Sequence, residues 1–352
     1  MKNILKPYII GETAFHHEGE EQFAKDLIAN AMDLGLDAIK FHLLLDLDDY
    51  MAHDHEAIDI LRPWCFSGDQ WDGILQTAKN IDIILMCNDV KSVEYAISTS
   101  YDIRAIEIHA TGLNDIFLLE KAAQFSNTVI LGVGGSSLDE IDYAINYLKD
   151  KGKADIFLMH GFQNYPTDFK DIKLERMNKL SVLFNLPMGY ADHTDPADAN
   201  NEYISCLGVA NGHYVIEKHF THQFGEKRID SQAAVSIDQM KKVKEIAQIT
   251  FETLGKKDSL VMAEAELKYG NTGPMKKAIV AKVDIASGTE ITVDNISFKR
   301  TNDSSSIRQN ELYKVLGNKT KIDIKKDAII DLSNVEFSFN VNDTSQFNNT
   351  QK

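Results

Sequence analysis

The sequence predicts an α/β chain: a (β/α)8 TIM barrel over residues 1–255, followed by a small β-rich domain over 276–340. Two observations carry the barrel and one carries the second domain. Eight short apolar runs alternate with amphipathic helical segments through residues 1–255. Runs of that kind bury both faces, as in a parallel sheet closed on itself and covered by helices. The helical segments, such as EEQFAKDLIANAMDLG and LDEIDYAINYLKDKG, end on glycine, where a left-handed residue stops a helix. After residue 275 the pattern changes to lysine-bearing strand-like stretches broken by turns. An open doubly wound sheet is the alternative arrangement of the same elements.

The eight runs are YIIGE (8–12), AIKFHLL (38–44), IDIILMC (81–87), AIEIHA (105–110), VILGVG (129–134), IFLMHG (156–161), MGYADHT (188–194) and YVIEKHF (214–220). Residues 256–275 have no strand period and read as a linker. KKAIVAKVDIASGTEITVDNISFKR and LGNKTKIDIKKDAIIDLSNVEF then read as short strands around the turns ASG and KKD. The last stretch, 341–352, is polar and reads as a disordered tail.

Bulk properties exclude several classes. The net charge of -16 repels nucleic acid and anionic membrane, so neither is an expected partner. Any anionic ligand then needs local cations or a metal. No apolar run is long enough for a transmembrane helix, and the first residues read as a strand rather than a signal peptide. Cys65, Cys87 and Cys206 are odd in number and scattered, which fits a reducing, cytoplasmic setting.

In a barrel the chemistry sits at the C-terminal ends of the strands. Sorting polar residues by that rule gives Glu12, Lys40, His42, Asn88, Glu107, His109, His160, Gln163, Tyr165, Asp192, His193, Glu217 and His219. His193 and His219 fall at one height on neighbouring strands. Two imidazoles with open positions suit a divalent ion such as Mn²⁺; the other reading is a pair of hydrogen-bonded barrel histidines. Lys40 lies inside an apolar strand, where lysine is costly unless paired or functional. It suits phosphate binding, a Schiff base, or pairing with Glu12 or Glu107. Glu12 is an acid–base group or that lysine's counter-ion. His16 and His17 read as part of a solvated loop. GVGGSS (132–137) opens a helix as an anion site does, without a Walker lysine or dinucleotide spacing.

These strings resemble the sialic acid synthase (N-acetylneuraminate synthase) family. GETAFHHEG is similar to its AEIG-N-H-G opening, DAIKFH to AVKFQ, MHGFQNYPTDFKDIKLERMNKL to its YPTP segment, GYADHT to GYSDHT, and VIEKHFT to VIEKHFT. The C-terminal part resembles the antifreeze-like (SAF) domain that follows these barrels. The resemblance runs over residues 7–335. It implies that phosphoenolpyruvate adds through its C3 to the aldehyde of an open-chain N-acetylated hexosamine. A divalent metal (Mn²⁺ or Mg²⁺) polarises that aldehyde. It further implies that His193 and His219 are the metal ligands, Glu12 is the catalytic glutamate and Lys40 is a donor-binding lysine that serves catalysis with Glu12 and His193. Tyr165 and Asp230 match sugar-binding positions. Arg300 matches an arginine that a partner subunit's small domain lends to the sugar site, which implies a domain-swapped homodimer.

The departures from that pattern cluster where the resemblance places the donor's phosphate. Glu107 stands in place of a lysine, Asn88 of a threonine, and Ala110, Gly132 and Ala191 of serines. Gln163 replaces an asparagine, and His42 replaces the glutamine of KFQ that helps hold the sugar. Lys91, Arg104 or the 132–137 loop are the expected substitutes for the lost phosphate contacts. Three readings follow: a nonulosonic-acid synthase, a related carbon–carbon bond-forming, aldolase-like enzyme with another donor, and a non-catalytic sugar-binding paralogue.

Overall fold

The computed structural model describes residues 1, 4–162, 164–255 and 260–336. The expected tail at 341–352 and the expected ligand Gln163 lie outside the described residues. The chain divides into two compact units with the break after Gly255.

The first unit is a closed barrel of eight parallel strands in sequence order, so the open-sheet alternative falls. The strands are β1 (Tyr8–Glu12), β2 (Ala38–Leu43), β3 (Asp82–Cys87), β4 (Ile103–Ile108), β5 (Thr128–Gly132), β6 (Ile156–His160), β7 (Met188–Asp192) and β8 (Val215–His219). β1 closes on β8 with Glu12 paired to His219, and β1 meets β2 with Glu12 paired to Lys40. One principal helix follows each strand: α1 (Glu21–Asp33), α2 (Gly68–Leu75), α3 (Val90–Ser98), α4 (Ile116–Ala122), α5 (Leu138–Asp150), α6 (Glu175–Phe184), α7 (Asn201–Ala210) and α8 (Ile237–Leu254). Ser67, Ser137 and Ser236 begin α2, α5 and α8 with reciprocal capping boxes, satisfying donors that a helix start leaves free. Gly152, at φ +85, ends α5, a conformation that costs other residues strain.

Side chains alternate across each strand. Ile9, Ile39, Phe41, Leu85, Ile106, Leu131, Leu158 and Ile216 point outward and pack under the helices. Tyr8, Ile10, Ala38, Ile84, Ala105, Ile130, Phe157, Met159 and Val215 fill the interior. Because β1–β8 are buried on both faces, they read as near-continuous apolar runs. The same alternation sends the inward positions nearest the strand ends to the barrel mouth.

The second unit pairs β9 (Ala278–Ala281) with β10 (Ile296–Lys299) antiparallel. Its core is small: Ile279, Ile285, Ile291, Ile296, Ile307, Val315, Ile324, Ile330 and Val335. Within 256–275, residues Glu264–Tyr269 form a short helix.

Candidate active site

Inward parity from β1, β2, β4, β5, β7 and β8 delivers Glu12, Lys40, His42, Glu107, His109, Gly132, Ala191, His193, Glu217 and His219 to one pocket, with Tyr165 and Gly161 from the β6 loop. Lys40 is wholly buried. Its Nζ donates to Glu107 Oε2 at 3.0 Å and to Glu217 Oε1 at 2.5 Å. Burial alone lowers a lysine's pKa; the carboxylates of Glu107, Glu217 and Glu12 overcome that and raise it. An ammonium held this way is not a free amine, so Schiff-base chemistry is not open to Lys40 in this state. Of the two counter-ions the sequence suggested, Glu107 is correct. The second is Glu217 rather than Glu12, because residues 215, 217 and 219 share the inward face of β8.

Glu12 is instead clamped by two imidazoles. His42 Nε2 lies 3.0 Å from its Oε1 and His219 Nε2 lies 2.9 Å from its Oε2. The backbone N–H of Ala14 adds a bond to Oε1 at 2.9 Å. Burial raises this carboxyl, but His219 and then His42 outweigh it and hold Glu12 well below the usual carboxylate range. His219 moves the other way: burial lowers it, and the Glu12 carboxylate more than restores it. Burial and the neighbouring His219 keep His193 well below its ordinary value, and so neutral.

The His193 and His219 rings lie 5.0 Å apart between centroids at an interplanar angle of 65°. His219 Nδ1 is buried without a hydrogen-bond partner. A neutral imidazole beside an unpartnered ring nitrogen fits a divalent cation. Among the described residues no group of three or more His, Cys, Asp or Glu gathers as a cation cage. Tyr165 stands edge-on to both rings, at 4.9 Å from His193 and 5.7 Å from His219. Asp230 lies near enough that its carboxylate helps raise His219 and Tyr165.

Behind the wall, the outward residues that adjoin the two histidines in sequence form a buried network of their own. Asp192 and Lys218 are fully buried and paired at 2.6 Å. Asp192 also accepts from Tyr190 Oη, the Thr194 backbone N–H and hydroxyl, and Ser205 Oγ on α7. Thus every carboxylate oxygen is used, as a buried charge requires. GYADHT and VIEKHFT each place one residue into the wall and the next into the pocket.

Four expectations need correction or placement. His16 and His17 are not solvated. They are 1% and 0% exposed, His17 stacks on Phe66 at 4.5 Å, and burial brings their pKa values to about 4 and about 3. The loop after β1 is tied by Arg228 Nη1 donating to His16 O at 3.1 Å; its His17 ring packs against Phe66 and Trp71, and its His16 ring lies 5.9 Å from that of His219. Asn88 is not among the pocket's lining: its amide donates to Leu43 O at 3.2 Å, and it borders a separate groove with Tyr50 and Thr111. Lys91 pairs with Asp46 and Arg104 with Asp82, so neither reaches the pocket. Arg300, on the second unit, donates from Nε to Pro274 O at 2.7 Å. Glu217 was readable: two residues before His219, it had to share that residue's face.

Comparison with known proteins agrees with this fold. The NeuB family model matches residues 27–259, and the SAF domain model matches residues 276–336. An uncharacterized protein of Methanocaldococcus jannaschii is 31% identical over 326 residues, covering 92% of this chain and 93% of that one. N,N'-diacetyllegionaminic acid synthase of Campylobacter jejuni is 28% identical, covering 92% and 99%. Among solved structures, the N-acetylneuraminic acid (sialic acid) synthetase of Leptospira borgpetersenii in complex with citrate superposes with a TM-score of 0.69 at 26% identity, covering 76% of this chain and 93% of that one.

Proposed function

The chain belongs to the NeuB family of nonulosonic-acid synthases, and from that membership we propose that it joins a three-carbon donor to the aldehyde of an N-acetylated hexosamine. The observation that carries the reading is Glu12, buried and held between His42 and His219 beside the His193–His219 pair. A carboxylate desolvated and held between two imidazoles is suited to moving a proton.

His193 and His219 would hold a divalent cation, Mn²⁺ or Mg²⁺, which when bound supplies Lewis-acid polarisation of the sugar carbonyl. The chain's own groups do the rest. Bond formation between the donor's C3 and the aldehyde carbon turns the aldehyde oxygen into a hydroxyl, which needs a proton; on the donor side, pyruvate gives up one of its own C3 protons, whereas phosphoenolpyruvate takes up water at C2 as its phosphate leaves. The His42 Nε2–Glu12 Oε1 pair, 3.0 Å apart, is the acid–base pair placed to give it. Tyr165 and Asp230 orient the sugar at the outer side of the mouth. The buried ring of strand-end side chains keeps bulk water from the reacting carbon. In a swapped homodimer, Arg300 of one subunit would complete the sugar end of its partner's barrel.

Incubation with N-acetylmannosamine, Mn²⁺ and each of phosphoenolpyruvate and pyruvate, followed by mass spectrometry, tests the reading. A condensed acid that disappears in Glu12→Gln supports it; no condensed product with either donor across a panel of N-acetylhexosamines refutes it.

A further inference from the structure

A donor carrying a phosphate needs cations and hydrogen-bond donors where that phosphate sits. Among the described residues lining the pocket, Lys40 is the one lysine or arginine. Its ammonium is already engaged by Glu107 and Glu217, and Glu12 adds a third carboxylate; none of the four is more than 3% exposed. Small side chains without donors line the space beside them: Ala110, Gly132, Gly134, Gly161 and Ala191. Gly132 shows how that space is used. A Cβ there would come within 3.1 Å of Glu107 Oε1 and 3.3 Å of the Ala110 backbone nitrogen. The Glu107 carboxylate therefore leans into the room that a side chain at 132 would otherwise take. The pocket supplies its own anion to Lys40, in surroundings where little water screens an added charge.

We infer that the donor subsite takes a three-carbon carbonyl compound without a phosphate group, neutral or singly charged, and that Glu107 sets this preference. The inference rests on the condensation reading above and narrows its donor. Glu107 acts by filling the anion position and by repelling a dianion; it takes no part in bond formation.

Calorimetric titration of the full chain with phosphoenolpyruvate and with pyruvate, each with and without Mn²⁺, tests it. The unmodified protein is expected to bind phosphoenolpyruvate at least about tenfold more weakly than pyruvate, a factor equal to 1.4 kcal/mol. Glu107→Gln is expected to tighten phosphoenolpyruvate by at least about tenfold while moving pyruvate much less. Phosphoenolpyruvate binding as tightly as pyruvate to the unmodified protein overturns the inference. So does a folded Glu107→Gln protein, verified by circular dichroism, with unchanged phosphoenolpyruvate affinity. If Glu107→Gln does not fold, the ratio on the unmodified protein decides alone. Should neither donor bind the unmodified protein, gain of phosphoenolpyruvate binding in Glu107→Gln supports the inference and no gain overturns it. The condensation reading stands or falls separately, on whether mass spectrometry finds product with either donor.

Discussion

Replacing Lys40 with methionine keeps nearly the same volume and removes one charge from the barrel axis. Two carboxylates, bonded to Nζ at 3.0 Å and 2.5 Å, are then left buried without their cation. Breaking a buried ion pair from one side costs about 3–5 kcal/mol, because the abandoned charge stays desolvated. Here two charges are abandoned, but each can escape by taking a proton, which limits the total to about the same range. At roughly 2–4 °C per kcal/mol for a chain of this size, the barrel's thermal midpoint at pH 7 is expected to fall by about 6–20 °C. The pH dependence has a definite sign. Burial already raises Glu217 to about 7 against the pull of Lys40, and removing the ammonium takes away that opposition, so the folded variant binds more protons than the unfolded chain in mildly acidic solution. Stability relative to the unmodified protein therefore recovers as pH falls from 7 towards 5. Differential scanning calorimetry at both pH values reads this directly. A midpoint shift below about 2 °C at pH 7, under 1 kcal/mol on the same scale, or an equal deficit at both pH values, would sink the argument. The triple replacement Lys40→Met, Glu107→Leu, Glu217→Leu is expected to recover most of the loss, since an apolar isostere removes the stranded charges.

Glu12→Gln removes the acid–base group but leaves a side chain of the same shape, and product formation by mass spectrometry is expected to drop by about 10²- to 10⁴-fold. Lys218→Met strands Asp192 behind the wall. A loss of about 3–5 kcal/mol in thermal unfolding is expected, with Mn²⁺ affinity, read by titration, weakened about 10- to 100-fold as His193 and His219 lose their support. His193→Ala and His219→Ala are each expected to bring Mn²⁺ in elemental analysis to background, and stoichiometric metal in both would remove that pair as the ligands. Gly134→Ala puts a Cβ within 1.7 Å of Gly161 O, so circular dichroism and solubility are expected to show a barrel that no longer closes properly between β5 and β6.

Residues whose role follows from alternation were the most legible ones. Glu12, Lys40, His193 and His219 sit at inward positions near strand ends, and a period of two places them together without any knowledge of contacts. Glu217 obeys the same rule, and only its pairing with Lys40 needed the structure. His16 and His17 were misplaced because a loop's path is set by distant ties, here to Arg228, that no local pattern encodes. Asn88 begins the turn after β3, where alternation ends, and its amide is taken by Leu43 O. The partners of Lys40 were legible as a class, buried carboxylates, but choosing among three of them needed the register of β1, β4 and β8.

The division of each motif between wall and lining has a use in directed evolution. Positions 40, 42, 107, 109, 132, 191, 193, 217 and 219 address the pocket, whereas 190, 192, 216 and 218 address the packing between the barrel and its helices. A library aimed at new sugars or donors gains nothing by randomising a whole motif such as GYADHT. Nearly all of its members would alter Asp192 or Tyr190 and be lost to misfolding before acceptance of a substrate was ever sampled. Restricting diversity to the inward parity raises the fraction of folded clones and leaves the buried Asp192–Lys218 pair as a fixed chassis for every variant.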